Sequence, residues 1–129
     1  MEKKQITINV ENRVGALADV CEMLGRNGID ISGISAQGEG DRGVIRLITS
    51  DPNSTLNILT KQGFNAELEE VAVAEIDDRP GELGKLARKI AKSGLNITCV
   101  YSLEKAKGKA RLAVVGENLE RIRELAKKA

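Results

Sequence analysis

The stretch 11-ENRVGALADVCEMLGRNGIDI-31 decides the fold, because the chain carries it twice. From Asp77 to Ile97 it reads DDRPGELGKLARKIAKSGLNI, an offset of 66 positions from Glu11 to Asp77 in a chain of 129 residues. A constant offset of this size marks an internal repeat. Each copy keeps its glycines, Gly15 and Gly28 in the first and Gly81 and Gly94 in the second, while its polar residues change.

Outward from the first copy, QITINV alternates strictly, with Ile6, Ile8 and Val10 on one face and Gln5, Thr7 and Asn9 on the other. That is the pattern of a half-buried strand. Val14, Leu17, Cys21 and Leu24 fall at spacings of three and four, which predicts an amphipathic helix face. Gly28 stands where a left-handed residue ends a helix, and IDISGISA follows as a second strand. QGEGDRG has hairpin-turn composition and leads into GVIRLITS, a third strand. Asp51 and Pro52 suit a helix N-cap and first turn. That helix carries Leu56, Ile58 and Leu59, stops at Gly63, and gives way to a strand around FNAELE. The order β-α-β-β-α-β, with right-handed crossovers, sets two helices on one face of a four-stranded antiparallel sheet. The fold class is α+β, ferredoxin-like.

The second copy repeats this order. EEVAVAEI keeps a strand pattern, but its apolar phase slips between Leu68 and Val71, which divides the chain into domains 1–70 and 71–129. Leu83, Leu86, Ala87 and Ile90 rebuild the first helix, LNITCVYSL the second strand, EKAKGK the hairpin and ARLAVVG the third strand. A helix from Asn118 to about Lys128 follows. The second unit therefore lacks a last strand, and its first strand keeps an open edge unless something covers it. Val71, Val73 and Val100 are expected to point away from the helices. Two apolar faces on one sheet require burial by another layer or subunit, so a homodimer is expected.

Composition narrows the function. Lys and Arg number 20 against 19 Asp and Glu, a net charge of +1, too weak a field to draw nucleic acid or anionic lipid. There is no His, the commonest general base and metal ligand. Cys21 and Cys99 lie too far apart in sequence for a CxxC metal or redox site, and each reads as a small core residue, Cys99 sharing its strand face with Ile97 and Tyr101. Phe64 and Tyr101 are the only aromatic residues, so stacking platforms for bases are missing. MEKKQITINV alternates too early for a signal peptide, and no apolar run reaches membrane-spanning length. The expectation is a cytoplasmic protein with no enzyme activity, no cofactor, no metal, no nucleic-acid partner and no membrane.

The loop Asn12, Arg13, Val14, Gly15, Ala16 and Leu17 leads into a helix N-terminus. First-turn N–H groups lack intrahelical partners and sit at the positive end of the dipole, which suits a carboxylate. Gly15 lets a ligand's main chain approach, and an Asn amide addresses both ends of a free amino acid. A plainer reading makes Gly15 and Gly81 packing glycines and Asn12 and Asp78 helix caps. Arg13 and Arg79 read as surface or interface groups. The pair Asp77 and Asp78 has no visible acid-base partner, and one of the two is expected at an N-cap.

ENRVGAL followed by NGIDI, and DDRPGEL followed by SGLNI, closely resemble the ACT domain, the small regulatory fold of amino-acid biosynthetic enzymes, which also occurs as free-standing tandem pairs. The resemblance covers nearly the whole chain twice. It implies two tandem ACT-type units that bind an amino acid where units meet, through paired second strands or strand-helix loops. It also implies that the polar ligand contacts are the loop Asn and the Asn that opens the second strand. The first copy has Asn12 and Asp30 there, the second Asp78 and Asn96. If one copy's loop shares a site with the other's strand, one site holds Asn12 to Leu17 with Asn96 and Ile97. The second site, degenerate in character, holds Asp78, Arg79, Pro80, Gly81, Glu82 and Leu83 with Asp30 and Ile31. Two carboxylates about 4 Å apart repel by on the order of 1 kcal/mol, so only the first suits a zwitterion. Pairing of identical units instead leaves each site with one Asn and one Asp. The function expected is an amino-acid-binding regulatory protein acting on a partner enzyme or regulator. The alternative is an assembly module of the same fold with no small-molecule ligand.

Overall fold

The computed structural model describes residues 2–127, with Glu2 by its backbone alone. Six strands and four helices follow in the order β1 (Glu2–Glu11), α1 (Ala16–Arg26), β2 (Ile31–Glu39), β3 (Arg42–Thr49), α2 (Pro52–Lys61), β4 (Asn65–Asp77), α3 (Glu82–Lys92), β5 (Ile97–Ala106), β6 (Lys109–Gly116) and α4 (Leu119–Lys127). The expected helix end at Lys128 lies outside the described residues. The chain forms two compact units, one of residues 4–69 and one of the residues from Glu70 onward together with the first residues of β1, through Lys3.

In the first unit the strand order is β2-β3-β1-β4, the antiparallel ferredoxin-like arrangement that two βαβ crossovers dictate. Ile6 and Ile8 of β1 and Ile45 and Leu47 of β3 face Val20, Met23 and Leu24 of α1 and Leu59 of α2. Burying each such side chain stabilises by about 1.5–3 kcal/mol. The expected face of α1 needs correction. Val14 precedes the helix and is exposed, Leu17 is 43% exposed, Cys21 is half-buried, and only Leu24 reaches the core. The buried stripe runs through Val20, Met23 and Leu24, leaving Leu17 and Cys21 on its flank. α2 starts as its sequence demands: the Asp51 carboxylate accepts the Ser54 N–H at 3.1 Å, with Pro52 in the first turn.

In the second unit the order is β4-β6-β5. Ala72 and Ala74 of β4 and Leu112 and Val114 of β6 pack against Leu86, Ile90, Ile122 and Leu125 of α3 and α4. Buried Arg123 of α4 donates to the Val71 carbonyl at 3.2 Å, fastening that helix to β4. This part of the chain has no fourth strand of its own. The edge is nonetheless covered: β1 is the neighbour of β4 in the strand order, and its first residues belong to this unit.

The two units divide between Glu69 and Glu70, inside a strand rather than at a turn. β4 runs unbroken for 13 residues. Its even positions keep to the helix side throughout, Ala66 and Leu68 in the first core and Ala72 and Ala74 in the second. Val71 and Val73 do point the other way, yet both are buried within the single chain. They therefore supply no argument for a second copy. Val100 is a correction as well. The register of β5 slips between Ile97 and Cys99, which sets Val100 opposite Val114 on the helix side and separates Cys99 from the face of Ile97. Cys99 is half-buried rather than a core residue. No described helix is long and apolar enough to cross a membrane.

The loop between β1 and α1 as a candidate ligand site

β1 ends at Glu11 and hands the chain to a loop fixed by two hydrogen bonds of Asn12. Its backbone N–H donates to the Asp41 carbonyl at 3.0 Å, and its side-chain amide donates to the Gly40 carbonyl at 3.0 Å. The amide lies against β2 at Gly38, where any Cβ would collide with it. The plainer reading of Asn12 as a helix cap is thereby corrected. The position before α1 is Gly15, at φ 87°, and no side chain caps the helix. Nor is Gly15 a packing glycine, since a Cβ there would meet only an Arg13 nitrogen at 3.6 Å; the left-handed backbone is what requires it.

Arg13 folds across the first turn of α1. One guanidinium nitrogen donates to the Val14 carbonyl at 3.0 Å, and another pairs with the Asp19 carboxylate at 2.6 Å. That hydrogen bond and charge raise its pKa further, so the group stays cationic. Asn12, Arg13, Ala16 and Leu17 then line a recess of about 160 Å³ closed by Gln37 and Gly38 of β2. The chemistry gathered there is a carboxamide, a guanidinium and an uncapped helix N-terminus, three groups that favour a carboxylate. Val14 does not join them and projects into solvent.

The second loop repeats the backbone and changes the charges. Gly81 precedes α3 at φ 90° without a side-chain cap, which corrects the expectation that Asp77 or Asp78 caps this helix. The Asp78 N–H donates to the Gly108 carbonyl at 2.9 Å, matching Asn12 and Asp41. Its carboxylate, however, pairs with Lys105 at 3.4 Å. Asp77 pairs with Lys109 at 2.5 Å and Arg79 at 2.9 Å, and Glu82 with Lys85 at 2.9 Å. Lys109 through its hydrogen bond and charge, and Arg79 after it, hold the Asp77 carboxyl below its usual range. An ammonium thus already stands beside Asp78, supplied by this unit itself. Pro80 and Leu83 are exposed beside it.

Asp30 and Asn96 lie elsewhere. Asp30 immediately precedes β2, its carbonyl accepting the Ser50 N–H at 3.0 Å. Asn96 immediately precedes β5, its backbone N–H donating to the Glu117 carboxylate at 3.1 Å. The Asn96 amide makes no hydrogen bond among the described residues. Within each unit these residues, with Ile31 and Ile97, stand at the far end of the strand from the loop. Ile31 and Gln37 are separated along β2 by about 20 Å at 3.3 Å per residue. A single unit therefore does not bring its own loop and strand start together. Gly38, Gln37, Asp19, Lys105 and Lys109 were missed in the sequence, where QGEGDRG and EKAKGK read only as turns. Among the described residues, no group of three or more Cys, Asp or Glu side chains is placed to hold a metal.

Comparison with solved structures finds the same fold. A protein from Bacteroides thetaiotaomicron matches with a TM-score of 0.89 at 27% identity, over 99% of this chain and 88% of that one. The ligand-free regulatory subunit of aspartate kinase from Thermus thermophilus matches at 0.70 and 17% identity, over 98% and 91%. The corresponding subunit from Thermus flavus gives 0.67 and 18%, over 99% and 92%. A comparison with curated protein sequences returns no match. The model of one family, the ACT domain pair, matches residues 1–128. The duplicated units, their glycine-led loops and this match agree: the chain belongs to the ACT domain pair family.

Proposed function

We propose that the chain is a non-enzymatic regulatory protein that binds a free amino acid or similar small zwitterion where two units of a homodimer meet. The observation that carries this is the recess at the first loop, where Asn12, Arg13 and the uncapped start of α1 converge beside edge strand β2. A ligand carboxylate is held by those donors, and its ammonium by the amide oxygens of Asn12 and of Asn96 from the facing unit. The latter reaches the loop only from another unit, because in its own it stands at the wrong end of the strand. Binding then favours the paired arrangement, and a partner enzyme or regulator reads the shift. That two structures of the same fold are regulatory subunits supports this reading.

Calorimetry against a panel of amino acids tests it. Asn12→Ala and Asn96→Ala are each expected to weaken binding of the active ligand by about tenfold, or about 1.4 kcal/mol. Unchanged affinity in both variants rejects the site. A second reading, an assembly module without a ligand, is favoured by the exposed apolar residues Leu17, Ile34, Leu83 and Val100. A thermal-shift screen in which no amino acid raises Tm selects it.

A further inference from the structure

We propose that the second unit holds a binding site of its own for a small apolar acid. The ligand buries a ring-sized apolar group between β4, α3 and the end of α4, and gives its carboxylate to Lys85 and Lys109. This site does not rest on the reading of the first loop. Its lining shares only Glu82 with the loop residues Asp78 to Leu83, and nothing with the recess at Asn12.

The recess measures about 350 Å³, within the roughly 300–1,000 Å³ usual for small-molecule pockets. Ile76, Leu86 and Ala126 form its apolar floor, and Ile76 and Ala126 are only partly buried against the core beneath. The repeat shows what kind of group this place takes. At the same offset of 66, Ile76 answers to Val10 of the first unit and Lys89 to Met23. In the first unit Phe64, which follows α2, packs against the core with Val10, and Met23 is buried in it. The recess that the first unit keeps nearby is lined by Phe64 itself. In the second unit, no described side chain stands in the place of Phe64, and half-buried Lys89 replaces Met23. An apolar contact of one unit thus becomes, in the other, an apolar floor with an ammonium at its rim.

The rim decides the charge of the ligand. Lys85, Lys89 and Lys109 stand around the recess with Glu75, Asp77 and Glu82. Two of these acids are already engaged. Asp77 accepts from both Lys109 and Arg79, and Glu82 pairs with Lys85 at 2.9 Å. Arg79 therefore adds a cation to the three lysines, and the neighbourhood is positive. An ammonium carries three donors, so Lys85 and Lys109 keep N–H groups beyond the one that each gives its acid. A ligand carboxylate accepts these without displacing either pair. Lys89 donates to the Leu125 carbonyl at 3.2 Å, which answers the negative end of α4 and lets an anion sit close to it. A ligand ammonium would only add to the positive charge, so an acid is favoured over an amine.

NMR titration of the full chain with 3-phenylpropanoate tests the site. Saturable shifts are expected at the methyl groups of Ile76, Leu86 and Ala126. Lys85→Gln is expected to weaken affinity about tenfold, the size of one charge-assisted hydrogen bond. 3-Phenylpropanol, which lacks the carboxylate, is expected to bind more weakly than the acid by about the same factor. Ala126→Phe places a ring of the chain's own in the recess and is expected to abolish binding. Amide spectra confirm that each variant is folded, and the exposed position of Lys85 keeps the test open if Ala126→Phe is not. No saturable shift at millimolar acid overturns the proposal. So do shifts centred on Leu17 and Ala36, a Lys85→Gln variant that binds like the wild type, or an alcohol that binds as tightly as the acid. None of these outcomes touches the amino-acid reading of the first loop, which the Asn12→Ala and Asn96→Ala calorimetry decides.

Discussion

At the scale of single residues, the candidate site depends on glycines that do different things. Gly15 and Gly81 turn the chain left-handed into their helices, at φ 87° and 90°. Gly38 lies in ordinary strand and serves by what it lacks, since the Asn12 amide occupies the space of its Cβ. The colliding atom is the end of a side chain, so Gly38→Ala is expected to shift Asn12 rather than unfold the protein. We expect little change in Tm and about a tenfold loss of ligand affinity by calorimetry, the size of one lost charge-assisted hydrogen bond. Gly15 was legible in the sequence because the repeat shows it again as Gly81, and Asn12 because it stands in the same loop, where the second copy has Asp78. Gly38 and Lys105 were not, because hairpin register and a side-chain reach bring them to the loops, and neither is written in local spacing.

At the scale of elements, helix and strand identities followed from periodicity, whereas faces did not always. The flank of α1 misread as its buried stripe contains Leu17 and Cys21, apolar residues whose spacing fits a core as well as an interface. The slip between Ile97 and Cys99 reverses the face of every later residue in β5 until the next irregularity, and composition gives no sign of it. The bridge that joins β4 to β6 through Asp77 and Lys109 gives a pH prediction. A carboxyl whose folded pKa is depressed adds stability above its unfolded value, about 3.9, and loses that stability as pH falls through the folded value. Lys109, raised by the hydrogen bond and charge of Asp77, adds stability below its unfolded value, about 10.4, and loses it as pH rises through the folded one. Urea unfolding should therefore show wild type above Asp77→Asn at pH 7. The gap is expected to close as pH falls below about 4 and to narrow with added salt, because both groups are solvent-exposed.

At the scale of the whole molecule, β4 sets the behaviour. Its first residues close one unit and the rest open the next, with no intervening turn. The opening residues of β1 in return lie with the second unit. We expect one coincident urea transition whether the Tyr101 fluorescence or the helical circular dichroism signal is followed, as for a cooperative small protein. Two separated transitions would count against it.

The exchange of strands through β4 and β1 also bears on how such a protein can be taken apart or recombined. A cut between Glu69 and Glu70 divides the repeats cleanly in sequence but strands the second half without its neighbour at the sheet margin. Such a half is a poor candidate for transplantation onto an enzyme as a portable module. The pair travels as one inheritance, which leaves its two loops free to diverge in charge while the scaffold holds them together.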